Sequence, residues 1–392
     1  MNENREKSVV VAVRCDTYEE ETVYRAVYAG LAAMQTADRI DLQPAERVLV
    51  KPNLLKPAEA DSAVTTHPAV LRAVLRWLQV YGCRDVVYGD SPGHDTGAKV
   101  IDRLQLDRST DLYGARFTPM TKEVRTAFPD GMTAKEFWFA EEVGQIDAVV
   151  NVCKMKTHAL MGVTGAVKNT FGLICGTRKA MAHVQYPDPA LFARMLVDLQ
   201  RCVQPRLHIM DAITAMEGNG PGSGTPTSVN LLLFSRDPVA LDAVFCNLIA
   251  VDPEAIPTCA QGEVMGLGTW QKEKIRLLLA APDQETEDLS MEAFCAEFGK
   301  PDFQIERENS GLMKKGLGLL NRLSRRPVIH ADRCIACGVC VNHCPVPGKA
   351  LSFRNGPGKP PVYDYQKCIR CYCCQELCPR QAITAGRRRG VS

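Results

Sequence analysis

Ala148-Val-Val-Asn-Val152 runs directly into Cys153-Lys154-Met155-Lys156-Thr157-His158. A short, mostly β-branched apolar run of this kind is a strand covered on both faces, and here it delivers two lysines and a histidine at one end. The same arrangement recurs around it. Val48-Leu49-Val50 leads into Lys51-Pro52-Asn53, Val86-Val87-Tyr88 into Gly89-Asp90-Ser91, and Leu207–Met210 into Asp211. Val9–Val13 and Leu231–Phe234 are further strand-length runs. Helical patterns lie between them. Val70, Leu71, Val74, Leu75 and Leu78 repeat at helical spacing behind Pro68, with Thr66 or His67 as cap, and Asp237-Pro238 opens another helix to about Ala250. Residues 1–300 therefore predict an α/β body, a mainly parallel sheet with flanking helices. Phe117–Val143, containing Phe137-Trp138-Phe139, is expected to add an antiparallel excursion.

Open parallel sheets bind ligands beyond the carboxyl ends of their strands. The polar strand ends predict a cleft there, lined by Lys51, Lys154, Lys156 and Lys168, that suits a carboxylate or phosphate. Lys51, Asn53, Lys156, Asn169 and Asp211 are the expected substrate-binding residues. Lys154 and Lys168 are expected to stabilise developing charge, and His158 or Asp90 to deliver a proton. Taken singly, each lysine also reads as a solvated strand-end residue, and His158 as a hydrogen-bonded structural one. His67, Arg178, Lys179, His183 and Glu217 are weaker candidates. Gly162, Gly165 and Gly172 would let the backbone approach a ligand closely. Gly218-Asn-Gly220-Pro-Gly222-Ser-Gly224 reads as a wrap around a ligand or a flexible lid. Neither glycine segment has the spacing of a dinucleotide or phosphate loop, and no Ser-His-Asp set is recognisable. The helix holding Asp242 is apolar on nearly every side, so this carboxylate should be buried against a lysine or backbone amides.

Eight of the seventeen cysteines repeat one spacing. Cys334, Cys337, Cys340, Cys344 and Pro345 are each followed 34 residues later by Cys368, Cys371, Cys374, Cys378 and Pro379, which marks an internal duplication. Zinc takes its four ligands in two pairs and would leave the third cysteine of each run and the trailing Cys-Pro unexplained. The spacing is that of two [4Fe–4S] clusters, in which the fourth cysteine of each run ligates the other run's cluster. Cys334, Cys337, Cys340 and Cys378 are then expected on one cluster, with Cys368, Cys371, Cys374 and Cys344 on the other. Cys373 is an extra thiol with no assigned role.

At 392 residues the chain exceeds one ordinary domain, and 46% hydrophobic with 23% charged residues is a globular composition. No stretch approaches the ~20 apolar residues of a membrane span, and the N-terminus lacks the apolar run of a secretory signal. The other nine cysteines are scattered, as in a reducing compartment, so the expected location is cytoplasmic. Net charge is +2, but residues 301–392 hold 16 Lys+Arg against 6 Asp+Glu, leaving 31 against 39 for residues 1–300. The basic end would steer an acidic redox protein, ferredoxin or flavodoxin, to the clusters; a merely solvated surface is the plainer reading. No aromatic residues interleave with Arg387, Arg388 and Arg389, so nucleic acid is not an expected partner. Residues 301–328 form an amphipathic basic connector with Leu312, Met313, Leu317, Leu319, Leu320 and Leu323 on one stripe. A stripe so short docks on its own protein more often than on a membrane.

The segment from 329 to 392 resembles a bacterial two-[4Fe–4S] ferredoxin. Lys51-Pro52-Asn53, Gly89-Asp90-Ser91, Lys154-Met-Lys156-Thr-His158, Gly165-Ala-Val-Lys168-Asn169-x-x-Gly172 and Asp237-Pro238-Val-Ala-Leu-Asp242 together resemble the domain of unknown function 362 family over residues 8–300. That resemblance implies a C-terminal two-cluster domain of the kind seen here and little about the reaction. A fainter resemblance joins His158-x-x-x-Gly162-x-x-Gly165-x-x-Lys168 to a loop of nickel-pincer lactate racemases, where such a lysine holds the cofactor. This chain lacks the Pro-Gly that follows there, which argues against nickel chemistry. The expected function is an iron–sulfur oxidoreductase that takes electrons from an external low-potential donor and reduces an anionic small molecule. The alternative is a non-catalytic electron-transfer or assembly protein whose body recognises a protein partner.

Overall fold

The computed structural model describes residues 7–93, 95–106, 112–176, 178–305 and 325–386. The stripe from Leu312 to Leu323 and the Arg387–Arg389 tail lie outside the described residues. The strands of the body are β1 (Ser8–Arg14), β2 (Arg47–Pro52), β3 (Asp85–Tyr88), β4 (Ala115–Phe117), β5 (Glu123–Ala127), β6 (Glu136–Ala140), β7 (Ala148–His158), β8 (Gly162–Thr164), β9 (Leu207–Glu217), β10 (Thr225–Ser235), β11 (Ile275–Ala280) and β12 (Glu287–Leu289). β5 and β6 form the expected antiparallel excursion. The others build a ten-stranded sheet in the order β12-β11-β1-β10-β9-β7-β2-β3-β4, with β8 folded back on β7. Its centre is parallel, β9-β7-β2-β3-β4, while β10 runs antiparallel between β1 and β9.

Because successive side chains of a strand point to opposite faces, each central strand feeds two cores. Val150 and Val152 pack with α1 (Glu20–Asp38), α2 (Pro68–Tyr81) and α3 (Gly97–Arg103). Val149 and Cys153 face the opposite layer, which includes α4 (Ala166–Asn169), α5 (Arg178–Gln185), α6 (Pro189–Val203), α7 (Pro238–Leu248), α8 (Pro257–Val264) and α9 (Met291–Phe298). The chemistry of the caps explains where helices begin. His67 accepts from the Ala69 amide at 3.2 Å ahead of Pro68, and Asp237 accepts from Val239 at 2.8 Å and Ala240 at 3.0 Å.

β7 and β9 outrun their apolar cores. Lys154, Lys156, His158 and Asp211 lie inside strands, not beyond strand ends. The polar segment stays extended because β9 continues beside it, through a register shift between Lys154 and Lys156, and because β8 pairs with Lys156–His158.

The body continues to Ile305, with Phe303 in its core. The C-terminal unit pairs Arg326–Ile329 with Ile383–Gly386 and Leu351–Ser352 with Val362–Tyr363 around its own small core. Its duplication is visible in the backbone. Ala336 and Arg370, 34 residues apart, have φ of 53° and 58°, and Gly338 and Tyr372 have 81° and 61°. Each of the latter precedes a one-turn helix, Val339–Asn342 or Cys373–Glu376.

Candidate functional site

The eight repeated cysteines ring two hollows in the C-terminal unit. One is lined by Cys334, Cys337, Cys340 and Cys378; the other by Cys344, Cys368, Cys371 and Cys374. Each hollow thus draws three cysteines from one run and the fourth from the other. The remaining walls are largely apolar. The first hollow faces outward, with Cys337 exposed and Ile335 59% exposed. The second lies toward the body, and its lining residue Tyr372 is buried in the body's core.

Two side chains beside Cys374 hold the units together. Gln375 donates to Asn219 Oδ1 at 2.5 Å and to the Gly220 carbonyl at 3.1 Å, while Asn219 donates to the Ile383 carbonyl at 3.2 Å. The Gly218–Gly224 segment is therefore a seat for the C-terminal unit rather than a ligand wrap or a free lid. Gly220 lies so close to Thr157 that a Cβ would overlap its carbonyl. Glu217 accepts from the Gln304 amide at 2.7 Å, a structural contact.

Glu376 enters the body. Its Oε1 is 3.0 Å from His158 Nε2, and the Lys56 ammonium is 3.5 Å from its backbone carbonyl. His158 Nδ1 accepts from the Leu160 and Met161 amides at 3.1 and 3.2 Å, so the neutral ring carries its proton on Nε2, which faces the Glu376 carboxylate without an aligned hydrogen bond. Burial holds His158 down to about 4. Burial alone would raise Glu376, yet the adjoining His158 and the Lys168 charge keep it below the usual carboxylate range. Nδ1 of His158 is thereby committed to the backbone and Nε2 is closed in by Glu376, which fits positioning better than the expected proton delivery.

The lysines do not all face one cleft. Lys154 is buried and bonds Asp211 at 2.8 Å and the Tyr18 hydroxyl at 2.8 Å, in a network that also holds the His67 amide. Lys51 is buried against Asp90 at 3.1 Å and Asn169 Oδ1 at 3.1 Å, and Asp90 also accepts from the Leu54 amide at 2.7 Å. Lys156 donates to Asn53 Oδ1 at 2.6 Å and the Val64 carbonyl at 2.8 Å. In place of an anion, the protein's own carboxylates and carbonyls satisfy these three ammonium groups. Two of the loop glycines serve the same internal packing. A Cβ at Gly172 would overlap Asp90 and Lys51, and one at Gly165 would overlap Asp242. Asp242 is buried and accepts from the Ala166 and Val167 amides at 2.6 and 3.1 Å, the backbone partners its apolar helix led one to expect.

Lys168 is the exception. Among the described residues its ammonium has no hydrogen-bond or ion-pair partner, and its ring contact is Phe171, with the centroid 5.9 Å away. Burial lowers its pKa, while Glu376, Cys373 and Asp90 pull it back up. His183, buried and stacked on Phe192 at 4.4 Å, is within electrostatic reach of Lys168, Glu376 and His158. Lys179 donates to the Ser91 carbonyl and is brought down to about 8 by burial. Arg178 is engaged elsewhere, with Glu123 at 3.0 Å and over the Trp138 ring. Lys168 is the common neighbour of these groups: His158 and His183 lie within electrostatic reach of it and of Glu376, and Lys179 within reach of it and of Asp90.

With that geometry in hand, comparison with known proteins is informative. Residues 48–247, just over half of the chain, match the domain of unknown function 362 family. The chain belongs to that family. Residues 326–379 match a 4Fe-4S dicluster domain, so this family member carries an iron–sulfur electron-transfer domain at its C-terminal end. It is 36% identical over 230 residues to the thylakoid-associated protein sll1697 of Synechocystis sp., covering 58% of this chain and 70% of that one. Among solved structures, a Thermotoga maritima protein is similar with TM-score 0.34 and 14% identity over 57% of each chain. The lactate racemase apoprotein of Thermoanaerobacterium thermosaccharolyticum has TM-score 0.39 and 11% identity over 64% of this chain and 58% of that one. The chain spans little more than half of either structure. No helix among the described residues is long and apolar enough to cross a membrane.

Sequence reasoning passed over Tyr18, Lys56, Gln375 and Glu376. A signal for the last two was present in the duplication. Glu376 stands where the first copy has Asn342, Gln375 where it has Val341, and Tyr372 where it has Gly338. The second copy departs from the first at the residues that meet the body.

Proposed function

We propose that this family member is an iron–sulfur oxidoreductase that reduces an anionic organic substrate where its two units meet. Cys334, Cys337, Cys340 and Cys378 would hold one [4Fe–4S] cluster, and Cys344, Cys368, Cys371 and Cys374 a second. Four sulfurs around each apolar-walled hollow support that assignment, as do the amides of Ala382 and Ala350, which donate to Cys378 and Cys344 at 3.2 and 3.3 Å. Such clusters supply single electrons. The observation that carries the reading is the insertion of Glu376, two residues from Cys374, against His158 and beside Lys168. It brings the electron source and the uncommitted cation to one interface.

In this reading Lys168 binds the substrate anion and stabilises charge as it develops. Asn169 and Asn53 hold Lys51 and Lys156, Asp211 holds Lys154, and Asp90 and His158 act as positioning residues. Lys179, with its lowered pKa, is matched to proton delivery. The electron donor is an acidic ferredoxin or flavodoxin drawn to the basic C-terminal unit, and the setting is the cytoplasm, which the nine unpaired cysteines outside the two cluster sets support. The internal neutralisation of Lys51, Lys154 and Lys156 favours a second reading, a non-catalytic electron carrier or assembly protein whose body recognises a partner. Anaerobic purification should yield about eight irons per chain. Mass spectrometry of the small molecule released on denaturation supplies the substrate for a ferredoxin-coupled assay. Lys168→Ala should abolish turnover of it with cluster absorbance intact. Undiminished turnover in that variant, or far less iron, would end the reductase reading.

A further inference from the structure

The duplication allows the two hollows to be compared residue by residue at the 34-residue offset. Ile329 of the first copy corresponds to Tyr363, and Val339 to Cys373. Ile329 and Val339 are apolar wall in the first hollow. Their counterparts are polar and point at sulfur. The Tyr363 hydroxyl lies 3.1 Å from Cys374 Sγ, and the buried Cys373 side chain lies against Cys371. Tyr363 is buried and its ring is stacked on Tyr365 at 5.2 Å, which fixes the direction of the hydroxyl. Beside a deprotonated sulfur ligand, a hydroxyl or thiol can only donate. Other influences act at both hollows, Arg380 lining the first and Arg370 lying beside Cys368 in the second. Backbone amides reach sulfur in both, Ala382 and Val341 in the first and Ala350, Arg370 and Cys373 in the second, and a lysine of the body lies toward each, Lys56 toward Cys378 and Lys168 toward Cys373. Tyr363 and Cys373 are the side-chain groups whose counterparts in the first hollow, Ile329 and Val339, can donate nothing to sulfur.

We propose that Tyr363 and Cys373 order the two redox sites, giving the inner one the higher reduction potential, so that electrons entering at the outward hollow move toward the body. Hydrogen bonds to the sulfurs stabilise the negative charge gained on reduction. Burial of the inner site works against that charge, and the two donors outweigh it. In the step, the outer site is oxidised by one electron and the inner site reduced by one; no bond is made or broken and no proton moves. The assignment places the entry point where Cys337 and the exposed Arg380 flank the outer hollow, and the exit where Lys168 lies.

The inference rests on both hollows holding clusters, and potentiometry tests the two ideas separately. Anaerobically purified holoprotein, Tyr363→Phe, Cys373→Val and the double variant are titrated against electrode potential, with cluster reduction followed by electron paramagnetic resonance. Two separate midpoints are expected in the parent. Each substitution should lower the higher midpoint alone, and the double variant should bring the two together. Coincident midpoints in the parent, or variants that move neither midpoint or only the lower one, overturn the ordering while leaving the oxidoreductase reading standing. Absence of iron overturns both. Cys373→Val installs the first copy's own residue and Tyr363→Phe keeps the ring, so should the double variant lose iron, the single variants decide.

Discussion

Lys154 and Lys168 are both lysines of the predicted cleft, yet their environments give them opposite roles. Lys154 neutralises Asp211 in the interior, and removing one partner of a buried pair costs about 3–5 kcal/mol because the other charge stays behind. Lys154→Ala should therefore lower the urea midpoint substantially. Lys168 has no close ion-pair partner among the described residues, although its charge helps hold Glu376 ionised, so Lys168→Ala should lower the midpoint less than Lys154→Ala does. Equal midpoints for the two variants would contradict this division. The residue types were legible in sequence, but their partners were not. Asp211 faces Lys154 because β9 lies beside β7 in parallel register, and that neighbour relation depends on strand order, which local pattern does not encode.

Among the elements, the cores of the strands were readable as apolar runs, and the starts of α2 and α7 as Pro and a capping side chain. Strand ends were not, because the polar half of β7 is extended only through its pairing with β8 and β9. The glycine-rich segment after β9 was misread for a related reason. Glycine composition reports where backbone can come close, and here it is the Gln375 side chain and the Thr157 carbonyl that come close, not a ligand. The one-turn helix Cys373–Glu376 is the element that joins the two units. Gln375→Ala combined with Glu376→Ala removes the bonds to Asn219 and Gly220 and the contact with His158. Faster hydrogen exchange in residues 218–220 is expected, with cluster absorbance unchanged. Parent-like protection would show that apolar contacts such as Tyr372 suffice to hold the joint.

For the whole molecule, acid stability follows from the buried titratable groups. Burial holds His158, His183 and His208 down to about 4, 3 and 3, from 6.5. Between pH 4 and 6.5 the unfolded chain binds an extra proton at each of these three histidines. Asp242 acts oppositely, because burial raises it from 3.8 to about 7, so the folded chain holds the extra proton there. Three less one leaves two, and these groups should weaken the fold by roughly 3 kcal/mol per pH unit on acidification through that window. Urea midpoints measured from pH 6.5 to 4.5 check the sign. Asp242→Asn should steepen the loss, since it deletes the opposing contribution. Division of the chain into body and cysteine unit was evident from the duplication and the charge split. How the two units meet was not, because the contact is made by residues that neither pattern singles out.

A duplicated unit has two nearly equivalent ends, and a surface that recognised only its common features could receive it either way round. Tyr372 prevents this. It holds the left-handed φ that Gly338 occupies in the other copy, a conformation that disfavours a bulky side chain, and places its ring in the body's core. A chain rebuilt with residues 334–345 and 368–379 exchanged would keep every cysteine spacing and still present the wrong end, bringing glycine and asparagine to a socket shaped for tyrosine and glutamate. The handedness of assembly is thus written in a few non-ligand side chains, and the pseudo-twofold unit behaves as a key with one working orientation.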